Sequence, residues 1–488
     1  MTRLSAWKKV SGVLVLCVAA IVAPAQVFNS LFDFNLTDGA YPDLMSLVQG
    51  TAGNLYGTAS GGGANNHGTV FKITQDGTLT TLYTFCGMPN CPDGENPNAG
   101  LVLATDGNFY GTTTLGGTHG GGTVFRMTRE GVLTTIYNFC AQQQVYCNDG
   151  QAPQAALVQA KDGTLYGTTT EGGQPSSFQC LTTGGCGTVF KITSTGMLTT
   201  LYSFCVQANC TDGGLPYGAL IQAVDGNFYG TTFGGGTNGN GTVFKISPGG
   251  KLTTLHRFAG YPTDGRYPTA ALVQASNGNF YGAAQGGGTA GDYGTVFEMN
   301  RGGALTTLHS FNGSDGAAPS AALVQATDGN LYGITNSYGS NLNCNGSGCG
   351  TVFKMRPGGA FTTLHFFTLD DGSNPTGGLV QATNGILYGT TTYGGTYDGG
   401  TVFSLSMGLG PFVAFVRPYG KVGQTGGILG QGFTGASSVS LNGIPAGFSV
   451  VSDTFIKATV PPGATSGFVT VVTPSGTLTS NVPFRVTQ

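Results

Sequence analysis

Between residues 28 and 406 the chain is written in short runs rich in Val, Leu, Tyr, Phe and Thr, each bounded by Gly or Asp-Gly. That is the pattern of strands and tight turns. One stretch shows it fully: runs at 155–160, 164–169, 187–193 and 198–204 predict four strands. The first two are joined by Asp162-Gly163, and Asp106-Gly107, Asp225-Gly226, Asn277-Gly278 and Asp328-Gly329 fill the same place elsewhere. Such dipeptides accept the positive φ of two-residue hairpins. The third and fourth runs are joined by glycine turns such as Asp76-Gly77 and Gly302-Gly303. Apolar residues fall on both faces of a run, Val70 on one and Phe71 and Ile73 around it, so each sheet is expected to be packed on both sides.

The four-strand unit repeats. Gly-Thr-Val-Phe begins at Gly68, Gly122, Gly187, Gly241, Gly294, Gly350 and Gly400. A Tyr-Gly pair recurs at Tyr56, Tyr110, Tyr166, Tyr229, Tyr281, Tyr332 and Tyr388, and Asp-Gly-x-x-Pro starts at Asp38, Asp93, Asp149, Asp212, Asp264, Asp315 and Asp371. Three landmarks, seven times each, predict an all-β, seven-bladed β-propeller with four strands per blade. The last copy stops after its third strand, and its missing partner lies at the other end, where 28–34 aligns with 79–85. The N-terminal strand is therefore expected to complete the last blade, leaving no open edge.

After Met407 the repeat vocabulary ends, and about 80 residues of short alternating strands predict a small C-terminal immunoglobulin-like β-sandwich. The expected division is 1–25, 26–407 and 408–488. The first segment reads as a signal peptide: Arg3, Lys8 and Lys9 precede an apolar run at 10–22 and the small residues Ala23-Pro24-Ala25. The expected location is therefore secreted, cell-surface or periplasmic, with cleavage near Ala25, no membrane span in the mature chain, and a monomer. Composition narrows the partners. Only 8% of residues are charged and the net charge is −3, with no basic cluster beyond the first ten residues, so no footprint for nucleic acid exists.

Cys17 would leave with the signal, and ten cysteines remain in five close pairs: Cys86/Cys91, Cys140/Cys147, Cys180/Cys186, Cys205/Cys210 and Cys344/Cys349. An even count in an exported chain reads as disulfides. A zinc site would need two pairs to converge, and their places in different blades predict that they do not, so no metal and no cofactor are expected. Three pairs fall between the fourth strand and the next first strand, and two between the second and third strands. In an antiparallel blade those connections share one face, and variable loops on one face are where binding usually resides. His119, Gln174, Phe178, Tyr338 and Asn341 on these loops are the candidate binding residues.

The repeat resembles the Gloeo/Verruco tandem repeat of exported bacterial proteins, through Leu-Tyr-Gly-Thr-Thr (165–169), Gly-Thr-Val-Phe-Lys-Ile (187–192) and Leu-Thr-Thr-Leu-Tyr (198–202). That family is recognised by its repeat and implies little about activity. Residues 411–488 resemble an IPT/TIG domain through Gly430-Gln431-Gly432-Phe433, Val439-Ser440-Leu441-Asn442-Gly443 and Ser466-Gly467-Phe468-Val469. That resemblance implies a spacer or protein-contact module.

The chemistry available for catalysis is thin. The repeated Asp of Asp-Gly-x-x-Pro reads as a turn former rather than a calcium ligand, because seven copies spread around a ring cannot share one ion. His256, His309 and His365 stand where Tyr83, Tyr137 and Tyr202 stand in other copies and read as packing residues, while His67 and His119 lie in loops. No catalytic residues are nominated. The expected function is a non-catalytic binding or structural protein with an extracellular protein or polysaccharide partner on the long-loop face. The alternative is a propeller enzyme acting on an extracellular polysaccharide over the central channel.

Overall fold

The computed structural model describes residues 26–141, 147–174, 184–339, 344 and 346–487. Within them the protein is all-β, with a single 3-10 turn at Ala208–Cys210 as its helical segment. Among the described residues, seven four-stranded antiparallel sheets occupy 27–406. In the third, Val158–Gln159, Leu165–Thr169, Thr188–Ile192 and Leu198–Ser203 pair in sequence order. The first strand departs from expectation, since two residues pair where the apolar run 155–160 predicts a longer element. The residues ahead of it are held by the neighbouring sheet instead. In the equivalent segments of the second and fifth sheets, the carbonyls of Ala99 and Ala270 accept hydrogen bonds from Thr58 Oγ1 and Thr231 Oγ1, each at 2.9 Å.

The seventh sheet is built from both ends of the repeat region. Val380–Gln381, Leu387–Thr391 and Thr401–Ser406 are followed by Val27–Asp33, which runs antiparallel to Thr401–Ser406 with Val27 opposite Ser406 and Asp33 opposite Thr401. Phe28 of this strand stacks on His365 of the sixth sheet, ring centroids 3.7 Å apart, and lies 5.3 Å from Phe403 of the seventh.

Glutamines at the end of the first strand fasten one sheet to the next. Gln159, Gln222, Gln274, Gln325 and Gln381 accept from the amides of Thr105, Lys161, Val224, Ser276 and Thr327 at 2.8 to 3.0 Å. Gln49 accepts from the Thr383 amide at 2.9 Å, which ties the seventh sheet back to the first. At the remaining joint Leu103 takes the glutamine's place.

Apolar packing follows the same path. Tyr56, Val70 and Phe85 of the first sheet form one cluster with Leu101, Phe109 and Met127 of the second. The tyrosine of Tyr-Gly lies against the next sheet, with Tyr56 and Phe109 centroids 4.3 Å apart and Tyr229 and Phe280 4.2 Å apart. Its glycine makes room for a ring of its own sheet. A Cβ at Gly111 would stand 2.5 Å from Phe125 Cζ and 2.9 Å from Leu101 Cδ2.

Residues 414–487 form two further four-stranded sheets and a parallel pair, Tyr419–Lys421 with Arg485–Thr487. Ile428, Val439, Ile456 and Val471 share their core. This unit rests on the tight turns. Thr454 Oγ1 donates to the Thr51 carbonyl at 2.9 Å, the Phe412 amide to Thr383 at 3.0 Å, and the Tyr419 hydroxyl to Gln159 at 3.4 Å. The long loops gather on the other side, where the Glu95 amide bonds the Leu115 carbonyl at 2.9 Å and the Gly117 amide bonds Cys91 at 2.8 Å.

Candidate binding site

Six of the seven repeated aspartates are taken up by the fold. Tyr83, Tyr137 and Tyr202 donate their hydroxyls to Asp93, Asp149 and Asp212, each at 2.8 Å. His256, His309 and His365 face Asp264, Asp315 and Asp371 through Nε2 at 2.8, 2.9 and 2.9 Å. The histidines expected to pack are therefore hydrogen-bonding partners as well, because imidazole Nε2 reaches the carboxylate that a tyrosine hydroxyl reaches in other copies. Burial pushes the carboxyls of Asp264, Asp315 and Asp371 up. The histidine and nearby amide hydrogen bonds outweigh it and hold them below the usual range.

Between described residues, four disulfides are present: Cys86–Cys91, Cys140–Cys147, Cys205–Cys210 and Cys344–Cys349. Cys186 is disulfide-bonded too, and Cys180, its expected partner, lies outside the described residues. One expectation is corrected. The cysteine pairs do converge once, with the sulfurs of Cys186, Cys205 and Cys210 all within 4.8 Å of one another. The residue before Gly-Thr-Val-Phe opens the third strand beside the end of the fourth, so it meets the link that leaves there. His67 occupies the same position in the first sheet. It lies with Cys86, Cys91 and Glu95, its Nδ1 2.6 Å from Glu95 Oε2.

His119 and Gln174 are exposed on loops of the second and third sheets, and Tyr338 is 37% exposed on a loop of the sixth, its ring 5.2 Å from Tyr293. Phe178 and Asn341 lie outside the described residues. None of His119, Gln174 and Tyr338 lines the cavity on this face.

That cavity, about 430 Å³, is built mainly by the segments between the Asp-Gly-x-x-Pro proline and the first strand, joined by Phe233 and Gln285 just after the second strand, and all seven sheets contribute. The residue before that proline is left-handed in every copy: Tyr41, Asn96, Ala152, Leu215, Tyr267, Ala318 and Asn374 have φ of 51° to 59°. Seven non-glycine residues in this region mark a demanding turn, and each delivers the next residues to the cavity wall. The wall combines small residues such as Ala155, Ala219 and Ala271 with the uncharged hydrogen-bonding groups of Gln154, Thr269, Gln285, Ser320 and Thr376. Its lining residues include no Asp, Glu, His, Lys, Arg or Cys. Ser320 is 5% exposed, and its buried hydroxyl has no hydrogen-bond partner within the protein.

One sector is aromatic. Tyr217 and Phe233 line the cavity with centroids 5.6 Å apart and rings nearly perpendicular. Tyr267 stacks behind Phe233 at 4.7 Å, the Arg266 guanidinium lies 4.9 Å from the Tyr267 centroid, and Arg266 pairs with Asp292. This row holds the aromatic sector in place. Burial, and then the charge of Glu171, push the Tyr217 hydroxyl up, so it stays protonated at neutral pH. Sequence reasoning missed this site because its Ala-rich segments read as strand. The signal available was the unequal residue after each proline, Asp43, Asn98, Gln154, Tyr217, Thr269, Ser320 and Thr376, inside an otherwise uniform motif.

No curated protein sequence matches the chain. Among solved structures, a fungal alcohol oxidase of the AA5 family, in complex with copper, is similar with a TM-score of 0.51 and 13% identity, covering 92% of this chain and 98% of its own. The extracellular domain of a putative hybrid two-component system from B. thetaiotaomicron is similar at a TM-score of 0.48 and 10% identity, covering 93% of this chain and 57% of its own. At 13% identity the likeness to the alcohol oxidase speaks to fold alone. The sequence itself matches the Gloeobacter/Verrucomicrobia repeat over residues 18–205 and 178–403, and with the structural repeat in the same span, the chain belongs to that family.

Proposed function

We propose that this is an exported, non-catalytic binding protein: a seven-bladed β-propeller closed by its N-terminal strand, with an IPT/TIG immunoglobulin-like domain seated on its tight-turn face. Its ligand, a protein segment or a polysaccharide, enters the cavity on the long-loop face. The observation that carries this reading is the cavity wall. Seven sheets converge on it, yet its lining has small residues, hydroxyls, amides and two aromatic rings in place of paired acids or metal-ligating groups. A site that binds needs shape and matched hydrogen bonds, whereas hydrolysis needs positioned acid and base groups. The copper named for the alcohol oxidase finds no His, Cys or carboxylate ligand on this wall. The described disulfides and the basic-apolar leader at 1–25 support an oxidising compartment. Among the described residues no helix is long and apolar enough to cross a membrane. The loops carrying His119, Gln174 and Tyr338, with those of Phe178 and Asn341, form the proposed outer contact surface.

The test is to fill the cavity. Ala271→Trp places an indole on its wall. A panel of oligosaccharides and peptides is screened by thermal shift against the 26–488 chain and this variant. Ligands that stabilise the parent are expected to lose their effect in a folded variant and to be recovered chemically unchanged. Retained binding, or product formation, overturns the reading.

A further inference from the structure

We infer that the ligand is an uncharged glycan, one sugar ring of which docks against Tyr217 and Phe233 inside the loop-face cavity. The inference rests on the binding reading above and narrows it to a ligand class.

Two independent features point to it. First, the wall offers hydroxyl and amide groups from several sheets, which can both donate and accept, as the hydroxyls of a sugar do. Second, the aromatic sector is a platform: Tyr217 and Phe233 are each half-buried, and Phe233 is backed by the stacked Tyr267. The C–H face of a pyranose packs on such a ring, while its hydroxyl edge needs hydrogen-bonding groups nearby.

Charge sets the selectivity. The lining holds no cation to neutralise a uronate, sulfate or phosphate, so an anionic ligand would be desolvated without compensation. An acid beside the wall opposes it further: Asp43 accepts from Thr376 Oγ1 at 2.6 Å, and Thr376 belongs to the wall. A peptide would have to bury backbone amides and carbonyls, for which the platform offers no matching ladder.

The experiment is calorimetric titration of the 26–488 chain with cello-, xylo-, manno- and malto-oligosaccharides, and with oligogalacturonate as the charged counterpart of similar ring size. At least one neutral series is expected to bind and oligogalacturonate is not. Tyr217→Ala is expected to weaken binding by roughly tenfold. Tyr217→Phe, which keeps the ring, should stay close to the parent and controls for folding together with thermal melting. Binding of oligogalacturonate equal to that of the neutral series overturns the inference, as does binding insensitive to Tyr217→Ala in a folded protein. No neutral series binding also overturns it. If a peptide instead binds and is lost in Ala271→Trp, the binding reading stands without the glycan. If neutral sugars bind equally to Ala271→Trp, the cavity itself is the wrong site.

Discussion

Three aspartates in this protein are answered by histidine where three others are answered by tyrosine, and the exchange has a pH signature. The carboxyls of Asp264, Asp315 and Asp371 sit below the usual range: burial acts upward, but hydrogen bonds from His256, His309 and His365 and from amides outweigh it. A folded value below the unfolded one means the contribution is complete above about pH 4 and is lost as pH falls through the folded value. His309→Phe keeps the ring that stacks on Phe361 at 3.9 Å but removes the bond to Asp315. It is expected to cost about 1–3 kcal/mol at neutral pH by leaving a partly buried acceptor short. Melting curves between neutrality and strong acid should show the variant and parent converging below about pH 4; a constant gap would mean the histidine only packs. The sequence could not show this pairing. Tyr137 and Asp149, or His309 and Asp315, are separated by a loop of variable length, and a tyrosine that packs is spelled like one that also donates.

Strands two, three and four were legible to within a residue, because each is a short apolar run closed by glycine or Asp-Gly: 164–169 became Leu165–Thr169, and 198–204 became Leu198–Ser203. The first strand was overread because Ala and Leu continue the apolar pattern into residues that face the cavity rather than a strand partner. The invariant Tyr-Gly glycine also has a reason that only packing reveals. Gly111 has no positive φ among its constraints; the Phe125 ring fills the space a Cβ would take. Gly111→Ala should destabilise by about 1–3 kcal/mol through overpacking. Denaturant titration of Gly111→Ala, Phe125→Leu and the double variant should give a favourable coupling, since the smaller side chain vacates the methyl's place. Additive losses would place the defect in the backbone instead.

At the scale of the whole molecule the N-terminal strand and the C-terminal unit are expected to matter unequally. Val27–Asp33 completes a sheet and inserts Phe28 against His365 and Phe403, whereas residues 414–487 have a core of their own and touch the turns through a few hydrogen bonds. A chain starting at residue 37 should melt well below the 26–488 chain, while one ending at residue 410 should melt close to it. Equal melting of the first truncation and the parent would show that the strand is dispensable. The repeat number, the strand phase, the strand borrowed from the far end and the spacing of the cysteines were all determined by the sequence, because each is local or periodic and recurs until it cannot be missed. Tertiary structure alone decided what faces what: the histidine–aspartate pairs, the meeting of Cys186 with Cys205 and Cys210, and the uncharged cavity. Those features join residues from different sheets or across loops of unequal length, and the repeat pattern alone does not pair them.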